Sequence, residues 1–148
     1  MLRKGIATDE TAIRLCAEAA YRQYVALISK APAPMTADFR SQISNGWVHV
    51  AENDTGAVQG FIVFYQRQNN MFLENVAVHP AAAGKGIGRD LISLCERTAR
   101  RLGLGAVELY TNEKMAENLS IYRHLGYVET GRRKEAGFNR VYFEKTLS

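Results

Sequence analysis

The sequence predicts an α+β domain whose mixed, mostly antiparallel central sheet is flanked by helices. Three observations carry that expectation. Three strand-like runs, 47–52, 58–66 and 71–78, follow one another with only turns between them, the pattern of an antiparallel meander. The third run ends at Pro80 and leads through a glycine-rich loop into an amphipathic helix, so the next strand, 106–111, should return parallel to it. Two more alternating runs, 127–134 and 138–147, read as a closing hairpin around Ala136-Gly137. With 148 residues the chain has the size of one domain, 1–148.

Each element has a local reason. Residues 3–6 form a short first strand. Thr8 or Asp9 is placed to cap a helix in which Ile13, Cys16, Ala17, Ala20, Tyr24 and Leu27 recur at helical spacing, to about Ser29. Ala31-Pro32-Ala33-Pro34-Met35 breaks that helix, since proline disfavours helix in the residue before it. Thr36 reads as the next cap, for a short helix through Phe39 and Ile43 that ends at Asn45-Gly46. Asn53-Asp54-Thr55-Gly56 turns the first hairpin. Ile87, Leu91, Leu94, Cys95, Ala99 and Leu102 fall on one face of the helix after the glycine-rich loop, and Gly103 sits at its expected left-handed end. A shorter helix over 116–125 stops at Gly126.

Composition narrows the function classes. The chain is 47% hydrophobic and carries a net charge of +4, which suits an anionic ligand but is no nucleic-acid signature. No apolar run reaches the roughly 20 residues of a membrane span. The start, Met1-Leu2-Arg3-Lys4 followed by Asp9 and Glu10, lacks a signal-peptide core, so the expected location is cytoplasmic. Cys16 and Cys95 read as buried thiols, and no close Cys/His pair suggests a metal. Arg132-Arg133-Lys134 reads as solvated surface.

The loop Gly84-Lys85-Gly86-Ile87-Gly88-Arg89 carries the function. Glycines let backbone approach a ligand, and a helix N-terminus behind them offers free N–H groups to phosphate. A Walker A loop needs Gly-Lys-Ser/Thr, but Lys85 is followed by Gly86. A dinucleotide fingerprint starting at Gly84 needs a third Gly or Ala where Arg89 stands. Coenzyme A remains. The run Val76-Ala77-Val78-His79-Pro80, this loop and Leu91 resemble the core motif of the GNAT superfamily of N-acetyltransferases. Asn118-Leu119-Ser120-Ile121-Tyr122-Arg123-His124-Leu125-Gly126-Tyr127 resembles its second signature, a helix bearing an acid tyrosine and ending in Leu-Gly-Phe/Tyr. Ala83 departs from the Gln or Arg usual there, and Met115 stands where many members have Asn.

The resemblance implies a GNAT-like acyl-CoA N-acyltransferase fold, with acetyl-CoA as co-substrate. It places the pantetheine arm along Val76, Ala77 and Val78, where strands 71–78 and 106–111 splay, with the Val76 or Val78 N–H as oxyanion donor. Pyrophosphate falls to Ala83, Gly84, Gly86, Ile87 and Gly88, with charge from Lys85 and Arg89. Asn118, one turn before Tyr122, reads as a cofactor or substrate contact, or as helix surface. Tyr122 is the candidate acid for the departing thiolate, against the alternative of a core tyrosine. Glu74 is the candidate base or amine-binding group: strand parity puts it on the face of Val76 and Val78, and an unpaired carboxylate is costly in an apolar run; the alternative is a Glu paired to an Arg or to backbone. Tyr24, Met35 and Phe39 are expected to line the acceptor side. The expected acceptor is the amine of a small molecule or an exposed protein or peptide amino group, the expected assembly a homodimer, and the competing reading a non-catalytic acyl-CoA sensor. His79 is expected at the rim or in a structural role, His124 at the surface.

Overall fold

Seven strands form one mixed sheet. In the computed structural model, which describes residues 1–28, 31 and 33–147, they are β1 (Leu2–Lys4), β2 (Val48–Glu52), β3 (Val58–Arg67), β4 (Asn70–Val78), β5 (Ala106–Asn112), β6 (Val128–Glu135) and β7 (Phe138–Thr146), in the spatial order β1-β2-β3-β4-β5-β7-β6. Only β4 and β5 run parallel; the other neighbours are antiparallel. The helices are α1 (Glu10–Ile28), α2 (Phe39–Ser44), α3 (Ile87–Arg101) and α4 (Ala116–His124). The expected fold class is therefore the observed one, and the boundaries of β2–β7 shift by no more than one residue. The helix end expected at Ser29, and Pro32 of the break, lie outside the described residues.

Side-chain alternation sorts the core into two layers. On the α3 side Ile62, Leu91, Cys95, Val107, Leu109 and Phe143 pack together. On the α1 and α2 side Ile13, Ala17, Phe39, Val50, Phe61 and Val63 do so. Both cysteines are free and buried.

Two expected caps differ. Asp9 ends a 3-10 turn and does not cap α1: its carboxylate accepts the Ile6 N–H at 2.8 Å and the Arg3 guanidinium at 2.8 and 2.9 Å. That turn engages Ile6, so β1 stops at Lys4. Thr36 also ends a 3-10 turn, and Asp38 caps α2 by accepting the Ser41 N–H at 3.2 Å.

Three features open and shape a gap beside β4. First, β4 and β5 pair only at Met71–Val107 and Phe72–Glu108, then diverge. The His79 N–H donates to the Gln59 carbonyl on the β3 side at 2.8 Å. Backbone direction alternates along a strand, so the N–H groups of Val76 and Val78 face the opening gap. Second, Val63 pairs with Asn75 and Phe64 with Leu73, leaving Glu74 as the extra residue of a β-bulge. Third, Gly126 ends α4 at φ +96. The Tyr127 N–H reaches the Tyr122 carbonyl at 2.9 Å and the Gly126 N–H reaches Arg123 at 3.1 Å, a Schellman cap. The Leu-Gly-Tyr sequence thus stops the helix one turn after Tyr122 and brings the Tyr127 ring 5.8 Å from that of Tyr122.

Candidate active site

Two cavities meet in the gap between β4 and β5. The larger, about 690 Å³, is walled by the glycine loop, the end of β4, α1 and α4. The smaller, about 250 Å³, lies beyond it among residues of α2, β4, β5 and β7. Tyr21, Val76, Asn118 and Tyr122 belong to both walls.

The loop half of the larger cavity is backbone. Gly84 and Gly86 have φ +82 and +79, a region that side chains disfavour, and a Cβ on either would meet nothing within 4 Å. Gly86 also precedes α3 without any side-chain cap, which leaves first-turn N–H groups of that helix open to a ligand. Gly88 is under no such constraint; a Cβ there would touch Val78 Cγ2 at 3.6 Å. Val76, Ala77, Val78, Ala83, Ile87 and Arg89 join the glycines in this wall, but the exposed Lys85 does not. His79 takes the structural role expected of it: its Nδ1 accepts the Ala81 N–H at 3.1 Å and closes the turn between strand and loop. His124 is exposed, at the rim of the larger cavity.

Glu74 is in the smaller cavity, but not for the expected reason. Strand parity assigns it to the face of Val76 and Val78. In a bulge two consecutive side chains share a side, and here Glu74 turns to Gln42 of α2 while Asn75 turns to Tyr21 of α1. Val76 packs on the opposite, α3 side. The Gln42 amide donates to Glu74 Oε2 at 2.5 Å and the Tyr65 hydroxyl reaches Oε1 at 3.5 Å. Burial pushes the Glu74 carboxyl above the usual range, against the opposing pull of Tyr65, Arg67 and Gln42. Gln42 Oε1 is itself buried, with no hydrogen-bond partner among the described residues.

Tyr122 stands at the junction, its ring against Tyr127 and 5.9 Å from Phe143. Burial raises its phenol well above the ordinary value, so the hydroxyl keeps its proton and acts as a donor. The Tyr21 hydroxyl shares its proton between Asn75 Oδ1 (2.6 Å) and the Val76 carbonyl (3.1 Å), which fixes β4 where the gap opens. Asn118 lines both cavities, and its amide contacts Met115 Sδ at 3.6 Å. Met115 is buried in the position where Asn is the more usual residue.

Of the three residues expected on the acceptor side, Tyr24 lines the larger cavity, Phe39 is fully buried edge-on to Phe61, and Met35 packs on the α1-side core. Ala37, Gln42, Tyr110, Asn112 and Arg140 line the smaller cavity. Tyr21 is one helical turn from Tyr24 and shares its face, so spacing alone could point to it. Arg140 carries no local signal in sequence.

The sequence profile described as Acetyltransferase (GNAT) family matches residues 13–127, from the buried face of α1 to the tyrosine that closes α4. The chain belongs to that family. Its GNAT fold recurs in solved structures. The ribosomal-protein-S18-alanine N-acetyltransferase from Escherichia coli superposes with TM-score 0.79 at 16% identity, over 100% of this chain and 94% of that one. The PaiA N-acetyltransferase from Thermoplasma acidophilum, solved in complex with coenzyme A, gives 0.78 at 18%, over 99% and 98%. Nourseothricin acetyltransferase gives 0.64 at 25%, over 68% of this chain and 65% of that one. No curated protein matches in sequence. Among the described residues of this GNAT chain, no group of three or more His, Cys, Asp or Glu is placed to hold a metal ion, and no helix is long and apolar enough to cross a membrane.

Proposed function

We propose that the chain transfers an acetyl group from acetyl-CoA directly to a primary amine, of a small molecule or of an exposed amino group. The observation that carries this reading is the meeting of two unlike cavities at Val76 and Tyr122: one is edged by a backbone cradle at a helix start, the other holds a half-buried carboxylate. The open glycines at 84 and 86 and the uncapped start of α3 suit the pyrophosphate, with Arg89 adding charge. The pantetheine arm takes the unpaired edge of β4, along Val76–Val78.

The reaction needs one base, one oxyanion donor and one group to meet the leaving sulfur. Glu74 takes a proton from the ammonium, directly or through one water. The free amine attacks the thioester carbonyl and forms the N–C bond. Charge on the carbonyl oxygen is met by the N–H of Val76 or Val78, a contribution of about 2.7–4 kcal/mol in comparable sites. The C–S bond breaks and the sulfur leaves as thiolate toward Tyr122. A phenol with so high a pKa hydrogen-bonds this thiolate; with a thiol pKa near 8.5 that help is modest. The nitrogen gives up its second proton as the intermediate collapses and the departing sulfur takes it up, while Glu74 returns its proton to water, so the products are the N-acetyl amine and CoA as the free thiol.

The test is acetyl-CoA turnover followed by free thiol across a panel of amines. Amine-dependent thiol release is the expected result. Saturable acetyl-CoA binding without release under any acceptor supports the sensor reading and removes this one. The same proposal includes a cytoplasmic homodimer joined through an open sheet edge, β1 or the largely exposed β6, which sedimentation at micromolar concentration tests.

A further inference from the structure

Arg140 has no part in the chemistry above, yet it stands in the same small cavity as Glu74. Its side chain is only 15% exposed. The guanidinium lies over the Tyr110 ring, 4.3 Å from the centroid, and its nearest carboxylate oxygen, on Glu135, is 3.9 Å away. Glu135 already receives the Tyr142 hydroxyl. Among the described residues the Arg140 guanidinium makes no hydrogen bond, although it offers five donors in a planar fork. A mostly covered cation with a long ion pair and its hydrogen-bond donors unused is a ready partner for an anion entering the cavity.

A second, independent observation comes from the carboxylate in the same wall. Gln42, 8% exposed, donates its amide to Glu74 Oε2 at 2.5 Å and so holds that carboxylate in place. Glu74, its Oε1 met only by the Tyr65 hydroxyl at 3.5 Å, is placed to accept N–H groups. Among the described residues, Glu74 and Arg140 are the two charged side chains in the wall, of opposite sign, in about 250 Å³. That is room for a small molecule.

We infer that the acceptor is a small aminocarboxylate: its amine sits at Glu74, and its own carboxylate is gripped by Arg140. The inference rests on the reading of this cavity as the acceptor side of an acetyl-transfer site. The carboxylate accepts two parallel N–H bonds from the guanidinium. Tyr110 holds the fork from behind, so little side-chain freedom is lost on binding.

The experiment compares amino acids with their carboxamides, for example methionine with methioninamide and leucine with leucinamide, each rate expressed per free amine. The acids are expected to exceed the amides in kcat/KM by about ten- to a hundredfold, the range of one charge-assisted pair. Arg140→Gln should collapse the acid-to-amide ratio toward one, and Arg140→Lys, which keeps the charge and loses the fork, should fall between. A readout that needs no turnover runs beside it: with CoA present, the acids should raise the melting temperature of the wild-type protein and the amides should not, with the difference lost in Arg140→Gln. Circular dichroism checks that both variants fold. Equal rates and equal shifts for acids and amides overturn the inference while leaving amine acetylation standing. No thiol release with any amine overturns the proposed reaction, and the melting shifts then decide the binding claim by themselves. An unchanged ratio in a folded Arg140→Gln also overturns it.

Discussion

Gly86→Ala separates folding from ligand binding in a way few substitutions do. Gly86 sits at φ +79 and nothing lies within 4 Å of a Cβ built there. The folded protein therefore meets no clash, only the conformational cost of a side chain in the left-handed region, about 1–2 kcal/mol. For a domain of this length that lowers the melting temperature by about 2–8 °C. That strain is present with and without ligand, so by itself it leaves affinity alone. What changes affinity is the empty space. If the loop holds its conformation, the new methyl occupies the room a pyrophosphate needs. If it relaxes to negative φ, the first N–H groups of α3 are re-aimed. Each N–H bond lost to a charged phosphate costs about 1.5–3 kcal/mol, so acetyl-CoA affinity should fall by about ten- to a hundredfold. Urea denaturation gives the first quantity and titration calorimetry the second. Gly88→Ala is the folding control: its backbone is ordinary and helical, and alanine there should be neutral or stabilising by up to about 1 kcal/mol. A Gly86→Ala protein destabilised as stated but binding acetyl-CoA within twofold of the parent refutes the phosphate cradle.

Three further substitutions probe the site and its supports. Tyr122→Phe should lower kcat by about ten- to a hundredfold with acetyl-CoA affinity nearly intact, because the ring keeps its packing and only a donor to a good leaving group is lost; unchanged turnover sinks the donor role. Glu74→Gln should cut kcat/KM by about a hundredfold or more. In the parent, activity should decline as pH falls through a carboxyl value that burial holds above the usual 4.5, and this acid limb should vanish in the variant. Asp9→Asn should cost about 1–3 kcal/mol at neutral pH. The hydrogen-bonded Arg3 guanidinium holds the Asp9 carboxyl below 3.8, so its contribution is present above that value and fades as pH falls through the lower folded-state one; a stability curve for the variant should lack that acid-side decline.

The elements that repeat by local rule were legible in the sequence. Period-two alternation placed β2 to β7, the glycine loop announced itself, and Tyr122 with Leu125-Gly126-Tyr127 marked both a helix stop and a site. The bulge was not legible. Leu73-Glu74-Asn75 contains no glycine, and nothing local says that Val63 will pair with Asn75 while Phe64 pairs with Leu73. The unpaired residue exists only once β3 and β4 are side by side, so a period-two reading sends Glu74 to the wrong face. The wall of the smaller cavity was hidden for a related reason. Gln42, Tyr110 and Arg140 come from three elements far apart in sequence, and what they share is a cavity.

The bulge also makes one strand into two rulers. Up to Leu73, β4 keeps time with the sheet; from Asn75 onward it keeps a second count, offset by one. In the proposed reaction, residues beyond the offset present the backbone edge to the thioester, and residues at the offset address whatever is to be acetylated. Because the phase of each half is set separately, a lineage could rewrite Glu74 and the wall facing it without disturbing the rhythm that aims the Val76 and Val78 N–H groups. Choice of acceptor and handling of coenzyme A would then diverge on independent schedules, within nine residues of a single strand.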